Sequence, residues 1–175
     1  ELMFHDSALM VAALNGHEKT AGLLLKAGAD PMLKDSSGRS ALLLAATNNH
    51  LSVVIQLLDA GQKGDQKDSN GNGIWHLIAM SDVENEDSDS SYGSGQKEQS
   101  AAIIMHELIT RGVLLDTLNS AGETALMIAV NRGKVKTLKI LLELGASPDV
   151  QTPDGESALT LAEASGKDEL VKLLR

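Results

Sequence analysis

The chain has no cysteine and only one each of Trp, Tyr and Phe. Without cysteine there is no disulfide framework and no thiolate metal site, which points to an intracellular protein, cytoplasmic or nuclear. With so few rings, the core falls to Leu, Ala, Ile and Val, which suits thin, closely packed helices rather than an aromatic-walled pocket. Long apolar runs are missing too. Stretches such as Ala41 to Ala46 fall far short of the roughly 18 residues a membrane span requires, so no membrane insertion is expected. Positive charge is scarce: 15 Lys and Arg stand against 24 Asp and Glu, a net charge of −9. Nucleic-acid binders need basic patches to displace counterions, so a nucleic-acid partner is not expected. The sequence opens on Glu1 with no signal segment and reads as a piece of a longer chain.

What is present is a repeat. Gly28, Gly61, Gly112 and Gly145 stop helical stretches at intervals of 33, 51 and 33 residues. Ser7, Ser40, Gly73, Thr124 and Ser157 open others at intervals of 33, 33, 51 and 33. Such a period marks a solenoid of stacked units, and the interval of 51 is the same period with 18 extra residues. The clearest unit runs from Ser120 to Asp149, with a turn, a short helical run, a break at Gly133, a second run and a stop at Gly145-Ala146.

The motif resembles the ankyrin repeat, which opens T-P-L-H-x-A-A, breaks at G-H and closes L-L-x-x-G-A-D. Here it reads Ser7-Ala8-Leu9-Met10-Val11-Ala12-Ala13, then Asn15-Gly16-His17, then Leu24-Leu25 and Gly28-Ala29-Asp30. It returns at Ser40 to Ala46 and at Thr124 to Ala129. The resemblance implies an all-α ankyrin-repeat solenoid, with helix-turn-helix units and short β-turn fingers. The repeats fall at 1–33, 34–66, 67–116, 117–149 and 150–175 of a single domain.

The units differ in ways that set expectations. In the first, Leu2, Met3 and Phe4 do not form a polar cap, so further repeats are expected upstream. In the second, Asn49-His50 replaces Gly-His, and Gly61-Gln62-Lys63-Gly64 departs from Gly-Ala-Asp, so the next finger is expected to sit differently. In the third, residues 82–99 hold almost nothing apolar and carry −5 of the net charge; this composition reads as a disordered loop between the two helices. A second helix there is expected from about Ser100, with Ile104, Met105, Leu108 and Ile109 on its packed face. In the fifth, Glu163 replaces a buried Ala and the last helix is polar on one side, the pattern of a C-terminal cap.

Several residues invite chemistry. His17 and His50 share one slot in consecutive repeats and are expected to stack near each other. Two imidazoles fall short of a closed zinc site, and a capping role in the loop between helices fits better. His76 falls at the histidine of T-P-L-H, which the resemblance makes structural, although Gly73 cannot supply the hydroxyl usual before it. Trp75 reads as core, the rival being a partly exposed binding hot spot. Asn70-Gly71-Asn72-Gly73 lacks the Lys-Ser/Thr ending of a phosphate loop, and no G-x-S-x-G or triad pattern occurs. No catalytic residue, metal site or cofactor is expected.

The resemblance implies a protein or peptide partner bound along the concave face, through the finger tips and the exposed ends of the first helices. In the second repeat these positions are Lys34, Ser36, Ser37, Arg39, Thr47 and Asn48. In the third they are Lys67, Ser69, Asn70, Asn72, Met80 and Ser81. The fourth offers Leu118, Ser120, Ala121, Glu123, Asn131 and Arg132, and the fifth Gln151, Pro153, Asp154 and Glu156. Lys34, Arg39 and Lys67 make the earlier half basic, and Glu123, Asp154 and Glu156 make the later half acidic. Such a gradient orients a partner. A monomeric interaction domain within a larger chain follows. The alternative is a regulatory or targeting segment in which 82–99 acts by autoinhibition, or by phosphorylation at Ser81, which Asp82 and Glu84 follow.

Overall fold

The computed structural model describes residues 7–48, 50–81, 103 and 105–175. Among the described residues ten helices run in chain order: α1 (Ala8–Leu14), α2 (Glu18–Lys26), α3 (Ala41–Thr47), α4 (Leu51–Asp59), α5 (Ile74–Met80), α6 (described over 105–110), α7 (Ala125–Arg132), α8 (Val135–Glu143), α9 (Ala158–Ala164) and α10 (Asp168–Leu174). α1 pairs with α2, α3 with α4, α7 with α8 and α9 with α10, and the first helices stack as a row, α1 on α3, α3 on α5, α5 on α7 and α7 on α9. Among the described residues the only β pairing is two isolated bridges, Lys34 with Ser40 and Gln151 with Ser157, which close the necks of two fingers. This is the all-α solenoid expected. The acidic stretch 82–99, Leu2, Met3, Phe4, Asn49, Ser100 and Ile104 lie outside the described residues.

Four of the five first helices, all but α5, start in the same way. Ser7, Ser40, Thr124 and Ser157 accept a hydrogen bond from the backbone N–H three residues on, Met10, Leu43, Met127 and Thr160, so each satisfies one of the N–H groups a helix start leaves unpaired. The small residues that follow let these helices approach closely, and Ala12, Ala13, Ala41, Ala45, Ala46, Ala79, Ala125 and Ala129 are all buried. Leu9, Leu42, Trp75 and Leu126 occupy one slot in successive repeats and are at most 1% exposed. Trp75 is therefore core, and the hot-spot alternative falls. Its Nε1 is buried without a hydrogen-bond partner. In α6 Met105 and Leu108 are buried, Ile109 packs on the same core, and the stop follows at Gly112.

The fingers are built by a side chain mimicking backbone. Asp35 Oδ1 accepts from the N–H groups of Ser37 and Arg39, Asp68 Oδ1 from Asn70 and Asn72, and Asn119 Oδ1 from Ala121 and Glu123. Short polar side chains hydrogen-bonding the backbone two residues on are what sets such turns. Gly38, Gly71, Gly122 and Gly155 close the fingers with φ between 74° and 83°, which only glycine adopts without strain.

Successive fingers then join. Ser69 N–H donates to the Ser37 carbonyl and Ser120 N–H to the Asn70 carbonyl, both at 2.9 Å. The register survives the irregular Gly61-Gln62-Lys63-Gly64, contrary to expectation. Gln62 takes the slot of Ala29, is 5% exposed and donates its amide to the Pro31 carbonyl, and Gln66 donates to Gln62 Oε1. Gly64 makes room for the Val113 side chain, whose Cγ2 would lie 2.3 Å from a Cβ there. The substituted loop thus fills its own space and leaves the next finger in line.

Candidate partner-binding surface

The surface comprises the fingers and the ends of the first helices. At the helix ends, Thr47 Oγ1 donates to the Leu43 carbonyl at 2.7 Å and Asn48 Nδ2 to the Leu44 carbonyl at 2.9 Å. Ser81 Oγ donates to the Ile78 carbonyl at 2.8 Å. Each satisfies a carbonyl that the helix C-terminus leaves short of partners and fixes a side chain that is half-buried or exposed. Met80 is half-buried beside them.

Neighbouring repeats reach across at this level. Arg132 Nη1 donates to the Met80 carbonyl at 3.0 Å, and Lys167 Nζ donates to the carbonyls of Val130 and Asn131 at 2.7 and 2.9 Å. His50 Nε2 lies 2.9 Å from the Leu14 carbonyl, and a Cβ on Gly16 would overlap its ring. His50 therefore does the capping that favoured a structural reading, while His17 stands exposed at the start of α2 with no side-chain cap. A positive or N–H donor at a helix C-terminus also meets the negative end of the dipole.

His76 is the buried counterpart. It is fully buried, Gly73 N–H donates to its Nδ1 at 3.1 Å, and its Nε2 therefore carries the proton and donates to the Glu123 carbonyl at 3.0 Å. The imidazole supplies the backbone half of the capping arrangement that Gly73 cannot complete with a hydroxyl. Burial holds the His76 pKa below the ordinary histidine value, outweighing the opposing pull of the Glu123 carbonyl. The ring ties the third repeat to the fourth.

The finger residues depart from the expected charge gradient. Arg39 is not a free cation: its Nε sits 2.8 Å from Asp35 Oδ2. Burial pushes the Asp35 pKa up, but the N–H groups of Arg39 and Ser37 and the Arg39 guanidinium outweigh it and hold the carboxyl below its ordinary value. The basic side chain expected at Arg39 is thus paired with an acid. The acid sits four residues before the arginine, at the root of the finger. Lys34 Nζ donates to the Lys67 carbonyl at 3.0 Å, and Lys67 Nζ to the Leu118 carbonyl at 2.8 Å. Both ammonium groups run along the finger stack, and both side chains are exposed.

Asn72 is a second correction. It is 4% exposed, its Nδ2 donates to Asp68 Oδ2 at 3.1 Å and its Oδ1 accepts from Asn119 Nδ2 at 3.1 Å, so it joins two fingers and cannot meet a partner. Glu123 is half-buried and accepts from Asn131 Nδ2 at 3.1 Å and Asn119 Nδ2 at 3.4 Å. Ser36, Ser37, Ser69, Asn70, Leu118, Ser120, Ala121, Asn131, Arg132, Gln151, Pro153, Asp154 and Glu156 are exposed. Among the described residues no three His, Asp or Glu side chains gather as a metal site, and no helix is long and apolar enough to cross a membrane.

Comparison with known proteins agrees with this geometry. The profile of the family "Ankyrin repeats (3 copies)" matches residues 3–85 and 98–175. The inactive serine/threonine-protein kinase TEX14 of Bos taurus is 30% identical over 77 residues, 44% of this chain and 5% of its own length. TEX14 of Mus musculus is 27% identical over 77 residues, again 44% of this chain and 5% of that protein. The chain thus matches about a twentieth of the length of these relatives.

Proposed function

Because the chain belongs to the ankyrin repeat family, whose arrays bind protein partners, we propose that it captures a protein or peptide along the face formed by the fingers and the ends of α3, α5 and α7. The observation that carries this reading is a row of exposed or half-buried side chains held in place by the frame: Thr47, Asn48, Ser81, Asn131 and Arg132 each make one fixing hydrogen bond to a helix carbonyl or to Glu123. Side chains ordered before binding lose less freedom when a partner arrives. The reading is of binding without chemistry.

The test is capture from cell extract with the wild type, with Met80→Glu/Asn131→Arg on this face and with Lys19→Glu on α2 as control. A partner held by the wild type and the control but reduced about tenfold or more by the double variant supports the face. Equal capture by all three overturns it.

A second reading is favoured by the relatives, in which the similar stretch is a small share of a long protein: the array is a targeting segment of a larger chain. Autoinhibition by 82–99 on a basic half-groove would rest on the exposed Lys34 and Lys67, since Asp35 pairs with Arg39.

A further inference from the structure

The geometry points to Ser81 as a phosphorylation site whose phosphate is read by Arg132 of the neighbouring repeat. Two independent observations meet there. Ser81 is the only serine or threonine in the chain followed by an acid at both the next position and the third, Asp82 and Glu84. Ser120, Thr160 and Ser165 have the acid at the third position alone. A kinase that lines its substrate groove with basic side chains therefore finds its fullest match at Ser81, by opposite-charge complementarity.

The second observation is structural. Ser81 closes α5 in extended backbone, φ −66° and ψ 151°, the form a substrate groove accepts at the residue it modifies. The residue is half-buried and its hydroxyl makes a single hydrogen bond, to the Ile78 carbonyl. Arg132, exposed on α7, already places its guanidinium on the carbonyl of Met80, one residue before Ser81. A phosphate at a helix C-terminus is disfavoured by the dipole unless a cation meets it. Arg132 is that cation, and its fork of N–H groups suits two phosphate oxygens.

In the transfer, Ser81 Oγ attacks the γ-phosphorus of ATP. The new O–P bond forms as the bond to ADP breaks, and the hydroxyl proton passes to the kinase's base. Arg132 then exchanges the Met80 carbonyl for the phosphate, which draws the third and fourth repeats together. The added charge, about −1.5 to −2 at neutral pH, falls among Asn48, Met80 and Asn131 on the proposed binding face. The effect on partner capture rests on that reading, whereas the site and its reader do not.

The test takes the 175-residue chain with an acid-directed kinase and ATP. Mass spectrometry is expected to find phosphate on Ser81 and to lose that peptide's phosphate in Ser81→Ala. Absence of phosphate from Ser81 in the wild type overturns the site. For the reader, the second ionisation of the phosphate is followed by phosphorus NMR in the wild type, Arg132→Gln and Arg132→Lys. Its pKa is expected to rise by about half a unit or more in Arg132→Gln and to be partly restored in Arg132→Lys. Coincident titrations in all three overturn the role of Arg132. Neither arm needs a partner, so loss of the binding-face reading leaves both outcomes interpretable.

Discussion

The fingers of the second, third and fourth repeats are joined differently from those of the fourth and fifth. In the first set each finger donates a backbone N–H to the one before it, and a lysine from one neck reaches the carbonyl of the next. At the last joint Pro153 stands where Ser69 and Ser120 donate, and proline has no N–H. Its ring lies on Gly122 instead, where a Cβ would come 2.3 Å from Pro153 Cδ. Leu118 stands at the lysine slot, so the second tie ends there too. The last joint is held at the other edge, by Lys167 Nζ on the carbonyls at the end of α7. The same fold thus tolerates moving its inter-repeat polar contacts from one edge to the other.

The largest effect is expected where the ladder half is tied by a buried group. His76→Ala leaves the Gly73 N–H and the Glu123 carbonyl short of a partner and opens a cavity. Chemical denaturation is expected to show a loss of about 3 kcal/mol. The same ring gives the pH dependence. Its folded pKa is depressed, so the unfolded chain binds more protons in acid. The stability His76 contributes is fully present above the unfolded value of 6.5 and is lost as pH falls through the lower folded value. Asp35 acts in the same direction at lower pH, below its ordinary 3.8. Melting temperatures from pH 8 to pH 4 are expected to fall less in His76→Asn than in the wild type over the histidine range.

Next come the finger glycines, which separate strain from contact. Gly71 has φ 74° and a Cβ there would meet the Ser120 nitrogen at 2.8 Å, whereas Gly155 has φ 83° and open space. Gly71→Ala is expected to cost about 2–3 kcal/mol and Gly155→Ala about 1 kcal/mol, since only the first also pushes fingers apart. Equal losses would show that the ladder contact contributes little. Lys167→Met, which releases two helix-end carbonyls, is expected to cost about 1–2 kcal/mol; Lys67→Met, on an exposed finger, about 0.5 kcal/mol. The smallest change is Pro153→Ser. It restores a donor but frees the unfolded chain, two terms of about 1 kcal/mol that oppose each other. Hydrogen exchange is the measurement there. If the N–H that Pro153→Ser introduces is protected like that of Ser120, the ladder can extend to the last finger; fast exchange would show that it stops at the fourth.

Much of the frame could be read before folding was considered. The period located each helix pair, and Ser7, Ser40, Thr124 and Ser157 marked helix starts because a cap is a local contact three residues long. The finger turns were readable for the same reason. Of the candidate surface, Asn48, Asn131 and Arg132 are exposed at helix ends and Thr47 is half-buried, but their bonding was not legible in the sequence. Asn72 read as exposed because asparagine in a turn usually is; its burial comes from Asn119, far along the chain. Arg39 read as free although its partner lies only four residues away. The two residues straddle the finger tip, so the i,i+4 spacing that signals a pair on a helix gave no signal there.

By itself the sequence determined the unit: a capped short helix, a second helix, a glycine stop and a polar turn, since each follows from the conformational preferences of adjacent residues. Only the tertiary structure decided how units grip one another. Lys34 on Lys67, Lys67 on Leu118, His76 on Glu123 and Lys167 on α7 all join residues 33 or more positions apart. Those partners are fixed by the stacking of whole repeats, because a long side chain finds its acceptor only once a neighbouring carbonyl has been brought within about 3 Å of it.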